Sequence, residues 1–232
     1  MTPEPSGTVA DTRALLLDYG GVLTLPVHDS FATFERALGV PPGGSFSLLR
    51  AASESDDGGM IGALERGEID VEEFDAHLHR LLADAGYEVA EGTGLLEGLF
   101  AAMEPAGDLW TLADEVRAQG VRTGLLSNSW GMSAYPVEQL ERSFDTLVIS
   151  GEVGLRKPDP RIYELAAQRV GAAVERCVFV DDLRGNVAAA VAVGMHGIHH
   201  TGDEAATRAA ALAALDLDAA DGGHDARDGA AG

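Results

Sequence analysis

The chain of 232 residues carries a single cysteine, Cys177, so neither an internal disulfide framework nor a multi-cysteine metal site is available to it. Cys177 sits in the apolar run CVFV and reads as a small buried hydrophobe. Positive charge is also scarce: 16 Lys and Arg stand against 38 Asp and Glu, a formal net charge of −22. That field repels phosphate backbones and anionic lipids, which excludes sustained contact with nucleic acid or an anionic membrane. No apolar run approaches the roughly 18 to 20 residues that span a bilayer. The opening MTPEPSGTVADTR lacks a basic start followed by an apolar stretch, so it does not resemble a secretion signal, and the cytoplasm is the expected compartment. What the sequence does have is 46% hydrophobic residues, rich in Ala and Gly, enough for a sizeable core in one or two domains.

Five short apolar runs end at polar or Gly-rich turns and predict buried parallel strands: residues 14–18 (ALLLD), 122–127 (RTGLLS), 146–150 (TLVIS), 176–181 (RCVFVD) and 196–200 (HGIHH). Helical patterns alternate with the later ones. Asp108 is placed to cap a helix with Leu109, Leu112, Ala113 and Val116 on one face and Gly120 beyond its end. Asp159 and Pro160 open another, striped by Ile162, Leu165, Ala166 and Val170 and closed by Gly171. A third runs over residues 186–193, before Gly194. Strand alternating with helix at this spacing predicts an α/β fold, a parallel sheet with helices on both faces.

Residues 25–106 break the rhythm. They contain helix patterns at 30–38, 71–85 and 94–103 but no strand candidate, and they are too long for a plain connection. The expected organisation is therefore an α/β core over 12–24 and 107–215 with a helical insertion, or cap, over 25–106. Residues 1–11 and the acidic, Gly-rich tail 216–232 are expected to be disordered.

Ligands of open parallel sheets bind at the carboxyl ends of the strands. The predicted strands deliver Asp18, Ser127 with Asn128, and Asp181 with Asp182 to that edge, and Lys157 follows the third strand. Taken singly, Asp18 reads as a turn residue, Ser127-Asn128 as turn chemistry and Lys157 as a solvated lysine. Asp181-Asp182 says more, because adjacent acids repel one another unless a cation or hydrogen bonds hold them. Hard oxygen donors in such a set suit Mg2+, which takes one or two carboxylates plus phosphate.

The segments DYGGVLT, LLSNS, RKPDPRIY and VFVDDLRGN resemble, in order and spacing, the four motifs of the haloacid dehalogenase superfamily. The insertion with its GEIDVEEF segment resembles the small helical cap of the subfamily that includes sugar-phosphate phosphatases and the N-terminal phosphatase domain of epoxide hydrolases. The resemblance implies a Rossmann-like sheet with a small inserted helical cap, and a magnesium-dependent hydrolase of a phosphorylated small molecule. It implies that Asp18 attacks phosphorus and forms an aspartyl-phosphate. Mg2+ would be held by Asp18, the Gly20 carbonyl and Asp181, with Asp182 contributing through a water. Ser127, Asn128 and Lys157 would hold the phosphoryl oxygens, Lys157 also offsetting the charge of Asp18. Asn186 is open between a supporting partner and a plain helix cap.

Most phosphatases of that family carry an acid–base aspartate two positions after the nucleophile, where this chain has Gly20. General acid–base help is worth about 10² to 10⁴ in rate, so its absence slows such an enzyme without abolishing it. Three consequences are open: a substrate with a good leaving group, an acid supplied by His28, Asp29, His77 or His79, or a site that binds phosphate without useful turnover. The rival functions are correspondingly a 2-haloacid dehalogenase and a phosphate-dependent binding module. Trp130 is read as lining the entrance or packing inside, Arg184 as facing either cleft or solvent, and His199-His200 as structural. Oligomeric state is not legible.

Overall fold

In the computed structural model the described residues are 12–52, 58–90, 93–131 and 135–217. The expected parallel sheet is present, with β1 (Ala14–Leu17), β2 (Arg122–Ser127), β3 (Thr146–Ile149), β4 (Cys177–Asp181) and β5 (His196–His199) in the order β3-β2-β1-β4-β5. All four pairings are parallel. Because β1 lies centrally its four residues are fully buried, and their alternation feeds two cores. Leu15 and Leu17 join one, with helices α6 (Asp108–Ala118), α7 (Val137–Ser143) and α11 (Glu204–Ala214). Ala14 and Leu16 join the other, with α9 (Pro160–Val170) and α10 (Arg184–Ala192). Burial on both faces is the reason these strands read as continuous apolar runs rather than as alternating ones.

The chain leaves the sheet through a two-stranded neck. The Leu25 N–H donates to the Glu104 carbonyl (2.8 Å), the Ala106 N–H donates to the Leu23 carbonyl (2.9 Å), and Thr24 bridges Pro105. Between these crossings lie α1 (Val27–Leu38), α2 (Gly44–Ala52), α3 (Gly59–Glu65), α4 (Val71–Asp84) and α5 (Leu95–Ala101), which share a third hydrophobic cluster around Phe31, Phe34, Phe74 and Leu78. Among the described residues no helix is long and apolar enough to cross a membrane.

Helix ends differ from expectation where the cap is remote in sequence. Asp108 is the first helical residue and not the cap; its N–H donates to Glu204 Oε2 (2.7 Å), nearly a hundred positions away. Two helices, α2 with no sequence forecast and α5 within the forecast pattern at 94–103, are held the same way. Buried Glu35 takes the N–H groups of Gly43, Ser45 and Phe46 and the Ser45 hydroxyl, which fixes the start of α2. Asp75 likewise accepts from Leu95 and Leu96 at the start of α5 (2.9 Å each). The short helices α3, α7 and α8 (Ser150–Val153), together with α11, were also outside the sequence forecast. Ser150, expected to finish the third strand, begins α8 instead. Local caps were read correctly at α9, where Asp159 accepts from the Arg161 N–H and Gly171 closes the helix in the left-handed region. The N-terminal segment 1–11 and tail residues 218–232 lie outside the described residues; Asp216 and Leu217 complete the end of α11.

Candidate active site

The register Leu17↔Val180 places Asp18 beside Asp181 at the carboxyl edge of the sheet, and β2 brings Ser127 to the same edge. Asp18 is 7% exposed and Asp181 fully buried. Between them stands Lys157, on the loop after α8 and itself 1% exposed. Its Nζ lies 2.7 Å from Asp18 Oδ1 and 2.7 Å from Asp181 Oδ2, with Phe179 beneath at 5.4 Å. A lysine held this way is a fixed charge, not a solvated one, and the two carboxylates raise its pKa against the effect of burial.

The two adjacent acids have different duties. Asp181 is saturated: Oδ1 accepts from the Leu183 N–H (2.8 Å) and Asn186 Nδ2 (3.0 Å), and Oδ2 accepts from Lys157 and Asn186. Asn186 is therefore the partner of Asp181 and no cap, since α10 starts two residues earlier. The Asp182 carboxylate, half-buried and lining the cavity, accepts no hydrogen bond from the other described residues. It presses on the backbone at Gly21: a Cβ there would lie 2.5 Å from Asp182 Oδ2, and φ is +73°, so both space and conformation require glycine. Asp18 keeps one oxygen open as well, because Oδ1 takes both Lys157 and the Tyr19 N–H (2.7 Å).

One oxygen from each of Asp18, Asp181 and Asp182 lies within 4.8 Å of the others. Burial, opposed by Lys157 and reinforced by Asp181 and Asp182, pushes the Asp18 carboxyl up to about 8. Burial and then Asp181 push Asp182 up to about 6. Three carboxylates share one ammonium here, so the donor set fits a hard divalent cation.

Ser127 is buried, its Oγ 2.8 Å from the Tyr135 hydroxyl. Tyr135, whose ring lies 4.9 Å from that of Tyr19, is a neighbour the sequence did not disclose. Asn128 fixes the lysine loop through both ends of its amide: Oδ1 accepts from the Lys157 N–H (2.8 Å) and Nδ2 donates to the Lys157 carbonyl (3.0 Å). The larger omission is Glu65, at the end of α3. This buried carboxylate receives Arg156 Nε (2.5 Å), Trp130 Nε1 (3.0 Å) and Asn128 Nδ2 (3.2 Å), while its own carbonyl accepts from the Ser150 hydroxyl. The helical layer is thus tied to the loops that hold Lys157. No helix was forecast at 59–65, so the sequence held no signal that set Glu65 apart from other surface acids.

These groups open onto a cavity of about 400 Å³ whose far wall comes from the helical layer: Val27, Phe31, Phe46, Leu99, Phe100 and Met103. Trp130 plays both expected parts, lining the cavity while its ring packs near Phe31 and Phe74. Of the candidate substitutes for the missing acid, His28 reaches the cavity, although its side chain is largely exposed and pairs with Asp29 (3.3 Å). His77 and His79 do not line it, and His79 instead bonds the Thr93 carbonyl. Arg184 is exposed and outside the lining. His199 and His200 are structural, bonding the Asp182 carbonyl and the Thr207 hydroxyl. Buried Cys177 has its thiol pushed up to about 12 by burial.

A family model described as haloacid dehalogenase-like hydrolase matches residues 12–194. The chain is 30% identical over 196 residues to acyl-CoA dehydrogenase family member 10 of Mus musculus, covering 80% of this chain but 18% of that protein. A sesquiterpene phosphatase of Aspergillus oryzae is 30% identical over 140 residues, 59% of this chain and 70% of its own length. Among solved structures, a HAD-like family hydrolase from Porphyromonas gingivalis superposes with a TM-score of 0.61 at 25% identity, over 87% of this chain and 98% of that one.

Proposed function

Because this chain belongs to the haloacid dehalogenase-like hydrolases, we propose that it hydrolyses the phosphate monoester of a small molecule through an aspartyl-phosphate on Asp18. The observation carrying this reading is Lys157 bridging Asp18 and Asp181 at 2.7 Å each, with the Asp182 carboxylate, which accepts from no other described residue, alongside. Residues 25–106 act as the cap that closes over the substrate, and the core below performs the chemistry.

The open Asp18 oxygen attacks phosphorus, the bond to the leaving oxygen breaks, and water later attacks the same phosphorus to free the carboxylate. Lys157, immobilised by two carboxylates and by Asn128, stabilises a phosphoryl oxygen without reorganising. Ser127, oriented by Tyr135, donates to a second one. Magnesium would be held by Asp18, the Gly20 carbonyl and Asp182, with Asp181 as the anchor of Lys157 and Asn186. When bound, it neutralises the charge shared by nucleophile and phosphoryl group. In this reading Asp182 supplies the direct carboxylate and Asp181 the support, because the oxygens of Asp181 are already engaged. Nucleic acid and membrane surfaces remain poor partners for so acidic a chain.

The test is phosphate release from p-nitrophenyl phosphate with and without magnesium, wild type against Asp18→Asn. Turnover that needs the metal and disappears in the variant is expected. The apolar wall favours one second reading, dehalogenation at carbon; chloride release from 2-chloropropionate in the presence of a chelator would establish it and displace the phosphatase reading.

A further inference from the structure

The position that would carry the acid–base aspartate lines the cavity and is flanked by carbon. A Cβ on Gly20 would meet Val27 Cγ2 at 3.2 Å and Met103 Cε at 3.9 Å, so even the first atom of a side chain there abuts apolar groups. Asp182, the lining carboxylate with no bond from another residue, belongs to the metal site of the phosphatase reading, and three other ionisable groups of the lining are engaged. Glu65 is committed to Arg156, Trp130 and Asn128, and Tyr135 to Ser127. Lys157 is held by two carboxylates. The Tyr19 ring packs on that of Tyr135 (4.9 Å), and His28 is mostly in solvent. Apart from the carboxylates of the metal site, the described lining residues include no buried carboxyl free of a partner to protonate the leaving oxygen.

Apart from exposed His28 and committed Glu65, the helical wall offers nothing to hydroxyl groups. Six carbon-rich side chains form the rest of it, two of them phenyl rings in contact, Phe31 and Phe46 (centroids 5.1 Å apart). Phe46 is 42% exposed, and Glu35 holds its backbone N–H. A polyol placed here loses its water without gaining hydrogen bonds, whereas an apolar body is favoured by roughly 25 cal/mol per Å² buried.

We infer that the substrate is a phosphate of an apolar, weakly basic oxygen, an aryl phosphate or the mixed anhydride of an apolar carboxylic acid. The inference rests on the phosphatase reading of the site and narrows it. In the step, Asp18 forms the new O–P bond while the old P–O bond breaks. The leaving oxygen departs with the bonding pair as a phenolate or carboxylate and needs no proton from the enzyme; a basic phenolate then takes one from solvent. Water then attacks the aspartyl-phosphate phosphorus, returning Asp18 as carboxylate and releasing inorganic phosphate and a proton to solvent.

The experiment compares kcat/KM of the full chain with magnesium on ring-substituted phenyl phosphates, 1-naphthyl phosphate, benzoyl phosphate, glucose 1-phosphate and glucose 6-phosphate. From the most basic to the least basic phenolate, the rate is expected to rise by at least about 10²-fold, the scale of an absent general acid. Naphthyl should exceed phenyl by roughly tenfold or more from the added buried carbon. Phe46→Ser should erase most of that advantage while leaving the response to leaving-group basicity intact. Gly20→Asp combined with Val27→Ala should flatten that response, and His28→Asn should leave it unchanged. A flat wild-type response, glucose phosphates turned over as well as the aryl series, or an acid-like role for His28 would each overturn the inference and leave the phosphatase reading standing. Absence of magnesium-dependent turnover with every substrate would overturn both.

Discussion

Across the cavity, the sheet edge and the helical wall are built on opposite plans. At the edge, Lys157, Asp181 and Asn186 are buried and their polar atoms interlocked at 2.7 to 3.1 Å. At the wall, Val27, Phe46 and Met103 meet the cavity through carbon alone, and Phe46 is partly open to solvent. An interlocked polar set stands or falls together, because removing one member leaves the others buried and unpaired. An apolar wall tolerates change in volume with modest, local effects. Reaction type should therefore be encoded at the edge and selectivity at the wall, with Glu65 as the main polar link between them.

The largest effect should come from the edge. Asp18→Asn is expected to lower kcat for every substrate by roughly 10⁴- to 10⁶-fold, the range for loss of a nucleophile. A substrate-selective loss in steady-state assays would break the comparison. Lys157→Met keeps most of the stem but strands two buried carboxylates. It should cost about 3–5 kcal/mol, a fall in Tm of roughly 6–20 °C for a chain of this size, together with activity. Thermal unfolding checks it, and an unchanged Tm would show that the pair is more hydrated than its burial indicates.

Glu65→Gln probes the link. It keeps the shape but sets an NH2 against one of three donors, Arg156, Asn128 or Trp130, and should lower kcat about 10- to 100-fold and Tm by roughly 2–12 °C with KM little changed. A loss confined to KM would assign Glu65 to the wall instead of the edge.

The smallest effect is electrostatic. Asp18 and Asp182 have folded-state values pushed up to about 8 and about 6, above the ordinary carboxylate range. The folded protein then binds more protons than the unfolded chain between about pH 4 and 8, so stability without metal falls as pH rises through that window. Magnesium at ~100 times its dissociation constant should raise Tm by roughly 5–10 °C at pH 8.5, and by less at pH 5.5, where protons compete for the same oxygens. Scanning calorimetry at both values checks the sign, and equal shifts would remove Asp18 and Asp182 from the metal site.

Much of the edge was legible before any coordinates. Asp18, Ser127, Asp181 and Asp182 each end an apolar run, and parallel strands deliver their last residues to one side. The division of labour between Asp181 and Asp182 was not legible, because adjacent identical residues differ only in what surrounds them. The wall was illegible for a related reason. Phe46 and Met103 are more than fifty positions apart and belong to no motif, and α2 depends on Glu35, which lies outside its own helix. Glu65 lies on a helix the sequence did not forecast, and its role shows only in the convergence of Arg156, Trp130 and Asn128 on it.

The sequence by itself determined the parallel sheet, its helical insertion and the line of carboxylates at the sheet edge, since periodicity and strand ends are properties of neighbouring residues. Tertiary structure alone decided which oxygens stay open, what fills the space beside Gly20, and how Glu65 ties insertion to core. Those are outcomes of packing between distant segments, where burial and the identity of the nearest atom set both charge and specificity.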